Sequence, residues 1–410
     1  MQRLASRPLP VALALGALAQ ALFAWRLTTP HTLVFDEVHY VPAARTLAAL
    51  SGPANIDDPL LGKAIVALCI AVFGDDALGW RAFSSVAATA VVMGVFAILW
   101  LTFRSIRTAL LGGLLVLVNF TVFVQARIAM LDGFMAAFVV LAVAAMLWAA
   151  RGQGRAVAWR WLVGGVLLGS ACGTKWTAVP YVAFAALAFV AVKRTCPHAW
   201  PGLGWFRAWA ILGASVAATY TATFAPAFFY ASDPMTWRTF LPFQADMYAR
   251  QTQVLPAHTY QSAWWTWALD IRPVWYLYEP VDGAQRGVLM LGNPVVMWSG
   301  LVAVAACLWA WARARDAKLG PVAMLWIGSY AVWAIVPKSP SFFYYYYLPS
   351  IWLPVVIAAA LHRYGRRRVW DEAVLLAAAA LFVWFYPILS ASALSGPQAF
   401  QRWMWFDSWR

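Results

Sequence analysis

The chain has 410 residues, of which 63% are hydrophobic and only 11% charged, with 26 tryptophans. Soluble domains carry roughly 25% charged residues, so a water-soluble globular protein is excluded. The apolar residues fall in blocks bounded by Arg/Lys or Pro/Gly clusters, and about 20 such residues cross a bilayer core. The net charge of +14 invites a nucleic-acid reading, which its distribution rejects.

An all-α polytopic membrane protein is expected, with about eleven spans near 9–25, 80–103, 108–125, 130–149, 159–174, 177–192, 208–229, 288–311, 320–336, 343–361 and 372–391. With the N-terminus inside, the inner segments hold 17 of the 30 Lys/Arg, among them Arg3, Arg104, Arg107, Lys193, Arg194 and Arg366–Arg368, against the acids Asp316, Asp371 and Glu372. The other side keeps 13 basic and 13 acidic residues, so the whole excess lies inside. That asymmetry is what the positive-inside rule predicts. The four cysteines follow no metal or disulfide spacing. Ala24-Trp25-Arg26 is a poor cleavage site after the first apolar run, so an uncleaved first helix is expected.

The first outer loop, about 26–79, concentrates chemistry. It holds Val34-Phe35-Asp36-Glu37-Val38-His39-Tyr40 and then Asp57-Asp58-Pro59-Leu60-Leu61-Gly62-Lys63. A carboxylate at the membrane surface suits a general base for a hydroxyl nucleophile, and Lys63 suits an anionic lipid headgroup. The alternative is a solvated loop, with Asp57 or Asp58 capping the next helix. Residues 61–74 are apolar but too short to span, and counting them would place the Arg clusters outside, so an interfacial helix is expected.

Further along, Arg127 and Asp132 flank the turn between the third and fourth spans, either as helix caps or as cavity residues. The run 159–192 breaks at Gly173-Thr174-Lys175-Trp176-Thr177, which predicts a helical hairpin with Lys175 at its outer mouth. A large outer loop, about 231–287, contains Trp264-Trp265-Trp267 and Arg272-Pro273-Val274-Trp275-Tyr276. After Pro337-Lys338-Ser339-Pro340 come Tyr344 to Tyr347, which read equally as an aromatic belt or as hydroxyls lining a cavity. A single integral-membrane domain over 1–410 is expected, with no separate soluble domain.

Taken together, Asp36-Glu37 followed by Val-His-Tyr, Asp58-Pro59-Leu60-Leu61-Gly62-Lys63, Arg-Ile-Ala-Met-Leu-Asp at 127–132, Lys-Trp-Thr at 175–177, Arg-Pro-Val-Trp-Tyr at 272–276 and Tyr-Leu-Pro at 347–349 resemble the protein O-mannosyltransferase family. The resemblance implies a GT-C-type fold whose outer first loop carries interfacial helices. It also implies transfer of a sugar, typically mannose, from a polyprenyl phosphate to a Ser or Thr hydroxyl with inversion. On that basis Asp36 is the base with Glu37 beside it, the two roles being interchangeable from sequence. Lys63, Arg127 and Lys175 are donor-phosphate ligands, and Asp58, Asp132, Arg272 and Tyr346 bind acceptor or sugar. No metal or other cofactor is expected beyond the lipid-linked donor. The expected partners are membrane lipid and a protein or glycolipid acceptor, with no nucleic acid. The large outer loop, about 57 residues, is too short for the luminal sugar-binding domain of the family's eukaryotic members, so a compact bacterial-type member is expected, in a plasma membrane with the active site on its outer face.

The sequence departs from the family where His-Pro-Pro becomes Asp58-Pro59-Leu60 and where an expected histidine is Tyr346. The rival classes are a lipid- or glycan-directed transferase and a transporter. A transporter of the inverted-repeat kind calls for matching halves and broken helices at mid-membrane, which this chain does not display.

Overall fold

The computed structural model describes residues 7–336, 338–365 and 369–410. Arg3, Pro337 and Arg366–Arg368 lie outside the described residues. The helices are α1 (Pro8–Ala24), α2 (Glu37–Ala48), α3 (Leu61–Phe73), α4 (Ala77–Phe103), α5 (Ile106–Leu117), α6 (Phe120–Gln125), α7 (Leu131–Ala149), α8 (Arg155–Thr174), α9 (Val179–Thr195), α10 (Trp205–Ala222), α11 (Trp237–Thr252) and α12 (Trp264–Trp267). A hairpin of β1 (Val274–Val281) and β2 (Ala284–Met290) precedes α13 (Pro294–Ala314), α14 (Leu319–Ala331), α15 (Tyr347–Tyr364) and α16 (Val369–Leu389).

Among the described residues, eight helical segments are long and apolar enough to cross a membrane. Helices α1, α5 and α14 stand at three further expected spans but are shorter. Helix α3 covers the stretch expected to be interfacial, and its 13 residues reach only about 20 Å. The third expected span is interrupted at Val118-Asn119, between α5 and α6. Neither Asp57 nor Asp58 caps α3, whose N-cap is Leu60 without a side-chain bond. That expectation is corrected, because Pro59 and Leu60 stand between both aspartates and the first residue of the helix.

The span expected from 288 starts later. The residues before it form the hairpin, with Val274 opposite Met290 and Val281 opposite Ala284. The turn is Asp282-Gly283, both at positive φ (49° and 72°), as a tight two-residue hairpin requires. Val288, Leu289 and Met290 are buried strand residues, and hydropathy alone merges them with the apolar start of α13. Helix α13 begins only after Asn293, whose side chain accepts from Val295 N at 3.1 Å.

The core runs along α15, buried on all sides from Tyr347 to Ala360, against α5, α13 and α14. Helices α7, α8 and α10 form a second tight group. Along α8, Gly165, Gly169 and Gly173 present one face at four-residue spacing to α10. A Cβ there would come within 2.0 Å of Ser215 Oγ, 2.7 Å of Thr219 Cβ and 2.5 Å of Thr223 Cγ2, respectively. Small residues at this spacing let two backbones approach closely. This contact fixes the end of α8, from which Lys175 projects.

Candidate active site

Helix α2 opens on the acid pair. Phe35, just before it, holds a left-handed backbone (φ 52°), which costs a non-glycine residue about 1–2 kcal/mol. Its ring stacks on Tyr276 of β1, centroids 4.0 Å apart and planes within 10°, and meets Tyr344 edge-on at 5.6 Å. The hairpin thus clamps the residue that aims Asp36. Strain held in place by packing is a mark of functional sites.

Asp36 and Glu37 then part ways. Glu37 is fully buried and its oxygens take Arg81 Nε and Nη2, each at 2.8 Å. The same two oxygens accept Val34 N and Ala129 N, also at 2.8 Å. Every lone-pair direction of that carboxylate is used. Asp36 lines an outer cavity of about 480 Å³, and among the described residues no protein group donates a hydrogen bond to its carboxylate. Burial pushes its carboxyl up to about 6 from 3.8, opposed by the Lys175 ammonium and reinforced by Asp132.

The cavity also brings together Asp58, Asp132 and Lys175. Lys175 Nζ pairs with Asp132 Oδ2 at 2.7 Å, both side chains being buried. Its ammonium lies 5.7 and 5.9 Å from the ring centroids of Tyr344 and Tyr345. Lys175 occupies the extended residue between α8 and the turn leading into α9, the break anticipated at the hairpin mouth. Asp58 accepts Tyr40 Oη at 3.3 Å and Gln251 Nε2 at 3.4 Å. Its carboxyl is raised by burial, with Lys175 and Lys63 opposing.

The remaining candidates stand elsewhere. Lys63 is buried, and its ammonium donates to the carbonyls of Asn55 and Asp58, which pins the loop rather than facing the cavity. Arg127 spends its guanidinium on the carbonyls of Phe23, Trp25 and Arg26 at the end of α1. Arg272 ties the C-terminal tail through Ser408 O at 2.8 Å and the loop through Thr259 O at 2.9 Å. The Tyr346 hydroxyl is in the core, accepting Trp326 Nε1 at 3.0 Å. These four, like Glu37, do not line the cavity. The tyrosine run divides: Tyr344 and Tyr345 line the cavity, whereas Tyr346 and Tyr347 are packed inside.

Sequence reasoning gave no role to Gln251 or Lys338, or to His39, Tyr40 and Tyr345 individually, all cavity-lining residues. His39 and Tyr40 lie three and four residues after Asp36, a spacing that returns to one helix face. Gln251 carries no sequence signal at all.

Residues 56–229 match the family described as dolichyl-phosphate-mannose-protein mannosyltransferase. Residues 236–409 match the C-terminal four TMM region of protein-O-mannosyltransferase. The chain is 28% identical to the polyprenol-phosphate-mannose--protein mannosyltransferase of Mycobacterium tuberculosis, with 94% of this chain and 88% of that one covered. It is 27% identical to the protein of the same name from Mycolicibacterium smegmatis, covering 97% and 91%. Its fold matches a chain of the S. cerevisiae Pmt1-Pmt2 complex bound to the sugar donor, with a TM-score of 0.84, 13% identity and 98% and 92% coverage. With both halves matched in order and the fold shared from end to end, the chain belongs to the protein O-mannosyltransferase family and is a membrane-embedded glycosyltransferase.

Proposed function

We propose that this protein transfers mannose from a polyprenyl-phosphate donor to a Ser or Thr hydroxyl of a protein, with inversion, on the outer face of a bacterial plasma membrane. The mycobacterial relatives named above, similar over nearly their whole length, support the donor and the protein acceptor. The inner excess of Lys/Arg supports the orientation. The observation that carries the chemistry is the Asp36 carboxylate, unpaired within the described residues, facing the cavity and shifted toward neutral pH.

In this reading the acceptor hydroxyl gives its proton to Asp36, and its oxygen bonds to the sugar C1 from the face opposite the phosphate. The bond from C1 to the phosphate oxygen breaks, and its electron pair leaves with the polyprenyl phosphate. A base whose pKa lies near the working pH is both ionised and effective. Negative charge accumulating on the leaving oxygen is stabilised by an ammonium held ready for it. Lys175, fixed by Asp132 and by the close packing of α8 on α10, is such a group. Glu37, saturated by Arg81 and two amides, positions the start of α2.

The test uses purified protein in detergent with radiolabelled polyprenyl-phosphate-mannose and a Ser/Thr-rich peptide, comparing wild type with Asp36→Asn. Label is expected on the peptide with wild type and lost with the variant. Label in a lipid or glycan fraction with the peptide untouched refutes the protein acceptor. Donor neither bound nor consumed refutes the donor.

A further inference from the structure

Two lysines and four aspartates line the outer cavity: Lys175 and Lys338 with Asp36, Asp57, Asp58 and Asp132. An anionic donor entering such a site meets more negative than positive charge, so the cation available to its phosphate matters. Lys175 is already committed to Asp132 at 2.7 Å. Lys338 is half-buried and donates to the main-chain oxygen of Gln251 at 3.0 Å and its Oε1 at 3.1 Å, both neutral. Among the described residues it is the one cavity-lining Lys or Arg without a carboxylate partner. Its pKa is lowered by burial and by the Lys175 ammonium, with Asp58 and Asp57 opposing. An anion between the two ammoniums relieves that repulsion.

The apolar surroundings give the direction of approach. Val332, Trp333 and Val336, which follow α14, line the cavity together with Lys338. Ile335 beside them is 84% exposed and Val336 itself 40%, so this flank is apolar on the outside as well.

We propose that Lys338 is the first ligand of the donor phosphate, exchanging its neutral Gln251 partner for a phosphate oxygen and holding it opposite Lys175. This rests on the polyprenyl-phosphate reading above. Gln251 keeps its bonds to Asp57 O and Asp58 Oδ1, so the exchange leaves α11 tied to the first outer loop.

Binding of radiolabelled polyprenyl phosphate, and of neutral polyprenol, is measured on the purified full chain in nanodiscs for wild type, Lys338→Gln, Lys338→Arg and Gln251→Ala. A charge-assisted contact of this kind predicts a loss of roughly tenfold to a hundredfold in polyprenyl phosphate affinity for Lys338→Gln. Lys338→Arg restores most of it, Gln251→Ala loses less than Lys338→Gln, and polyprenol binding is the same in all four. If Lys338→Gln binds polyprenyl phosphate as wild type does, the proposal falls while the donor assignment stands. If Gln251→Ala loses as much and Lys338→Arg rescues nothing, the lysine serves only to tie Gln251 and the proposal falls. If wild type itself fails to bind polyprenyl phosphate, the underlying donor assignment falls with it.

Discussion

Asp36 and Glu37 are adjacent carboxylates at the start of one helix, yet the layer that receives Glu37 and the cavity that receives Asp36 treat charge in opposite ways. In the packed layer, Glu37 meets Arg81, and Arg81 completes its remaining donors on the carbonyls of Leu27, Pro30 and Thr32. Arg127 and Lys63 are likewise consumed by main-chain carbonyls. Arg81 ties the first outer loop to the start of α4, Lys63 ties it to α3, and Arg127 ties the end of α1 to the turn before α7. In the cavity, among the described residues, Asp36 lacks a protein donor, Lys338 has only neutral partners, and Asp58 is held by two bonds of 3.3 and 3.4 Å. A buried charge that is saturated is architecture, because nothing is left over to meet a substrate. One that is under-satisfied beside a void is paid for elsewhere in the fold and is available for chemistry.

The sharpest way to break this comparison is to neutralise each member of the pair. Asp36→Asn should lower the transfer rate by about 10²–10⁴-fold, the usual contribution of a positioned general base, with the protein still expressed and monodisperse. Glu37→Gln should instead strip Arg81 of its counter-charge in a fully buried site. Breaking a buried pair by removing one partner costs about 3–5 kcal/mol, so the variant should melt markedly lower or fail to accumulate. Reversed phenotypes, a stable inactive Glu37→Gln and a misfolded Asp36→Asn, would exchange the two roles assigned here.

How much of this was readable beforehand follows from what a bilayer demands. A span needs a contiguous apolar run, so α4, α7, α8, α13 and α16 stand near their expected places. The hairpin was hidden because Val288-Leu289-Met290 continues into the apolar residues of α13, and only Asp282-Gly283 marks the turn. Charges are scarce in this chain, so Asp36, Asp58, Asp132 and Lys175 stood out, but so did Glu37, Lys63 and Arg127. Their difference lies in partners far away along the chain: Arg127 is satisfied by carbonyls about a hundred residues earlier, and a carbonyl has no sequence signature. Gln251, on α11, and Lys338, in the loop after α14, reach the cavity from sequence without a distinguishing pattern and could be found only by folding.

The cavity side of the comparison also predicts a cost in stability. Asp36 has its carboxyl raised from 3.8 to about 6 in the fold. Well below pH 3.8 both folded and unfolded chains hold the proton and no penalty exists. As pH rises toward 6 the unfolded chain ionises first, and stability falls, by at most about 3 kcal/mol at roughly 1.4 kcal/mol per unit. Asp36→Asn should therefore melt higher than wild type at pH 8, with the gap closing as pH drops toward 4. Transfer by wild type should rise through about pH 6 as the base ionises. Equal melting at both pH values would mean that Asp36 is solvated rather than held ready.

The smallest effect tests the packing beneath Lys175. At Gly169 a Cβ would lie 2.7 Å from Thr219 Cβ and 2.9 Å from the Val216 carbonyl oxygen, and a main-chain atom cannot rotate away. Gly169→Val should force α8 off α10 at a cost of about 1–3 kcal/mol, typical of overpacking. Lys175 follows α8 directly, so the shift should loosen its pairing with Asp132 and raise the KM for the lipid donor more than it lowers kcat. Gly213, on α10 with open space around it, gives the matching control: Gly213→Val adds the same bulk without a clash and should leave the donor KM alone. A donor KM unchanged in Gly169→Val despite a lower melting temperature would show that the close approach of α8 and α10 serves stability only, and that Asp132 and the tyrosine rings hold Lys175 by themselves.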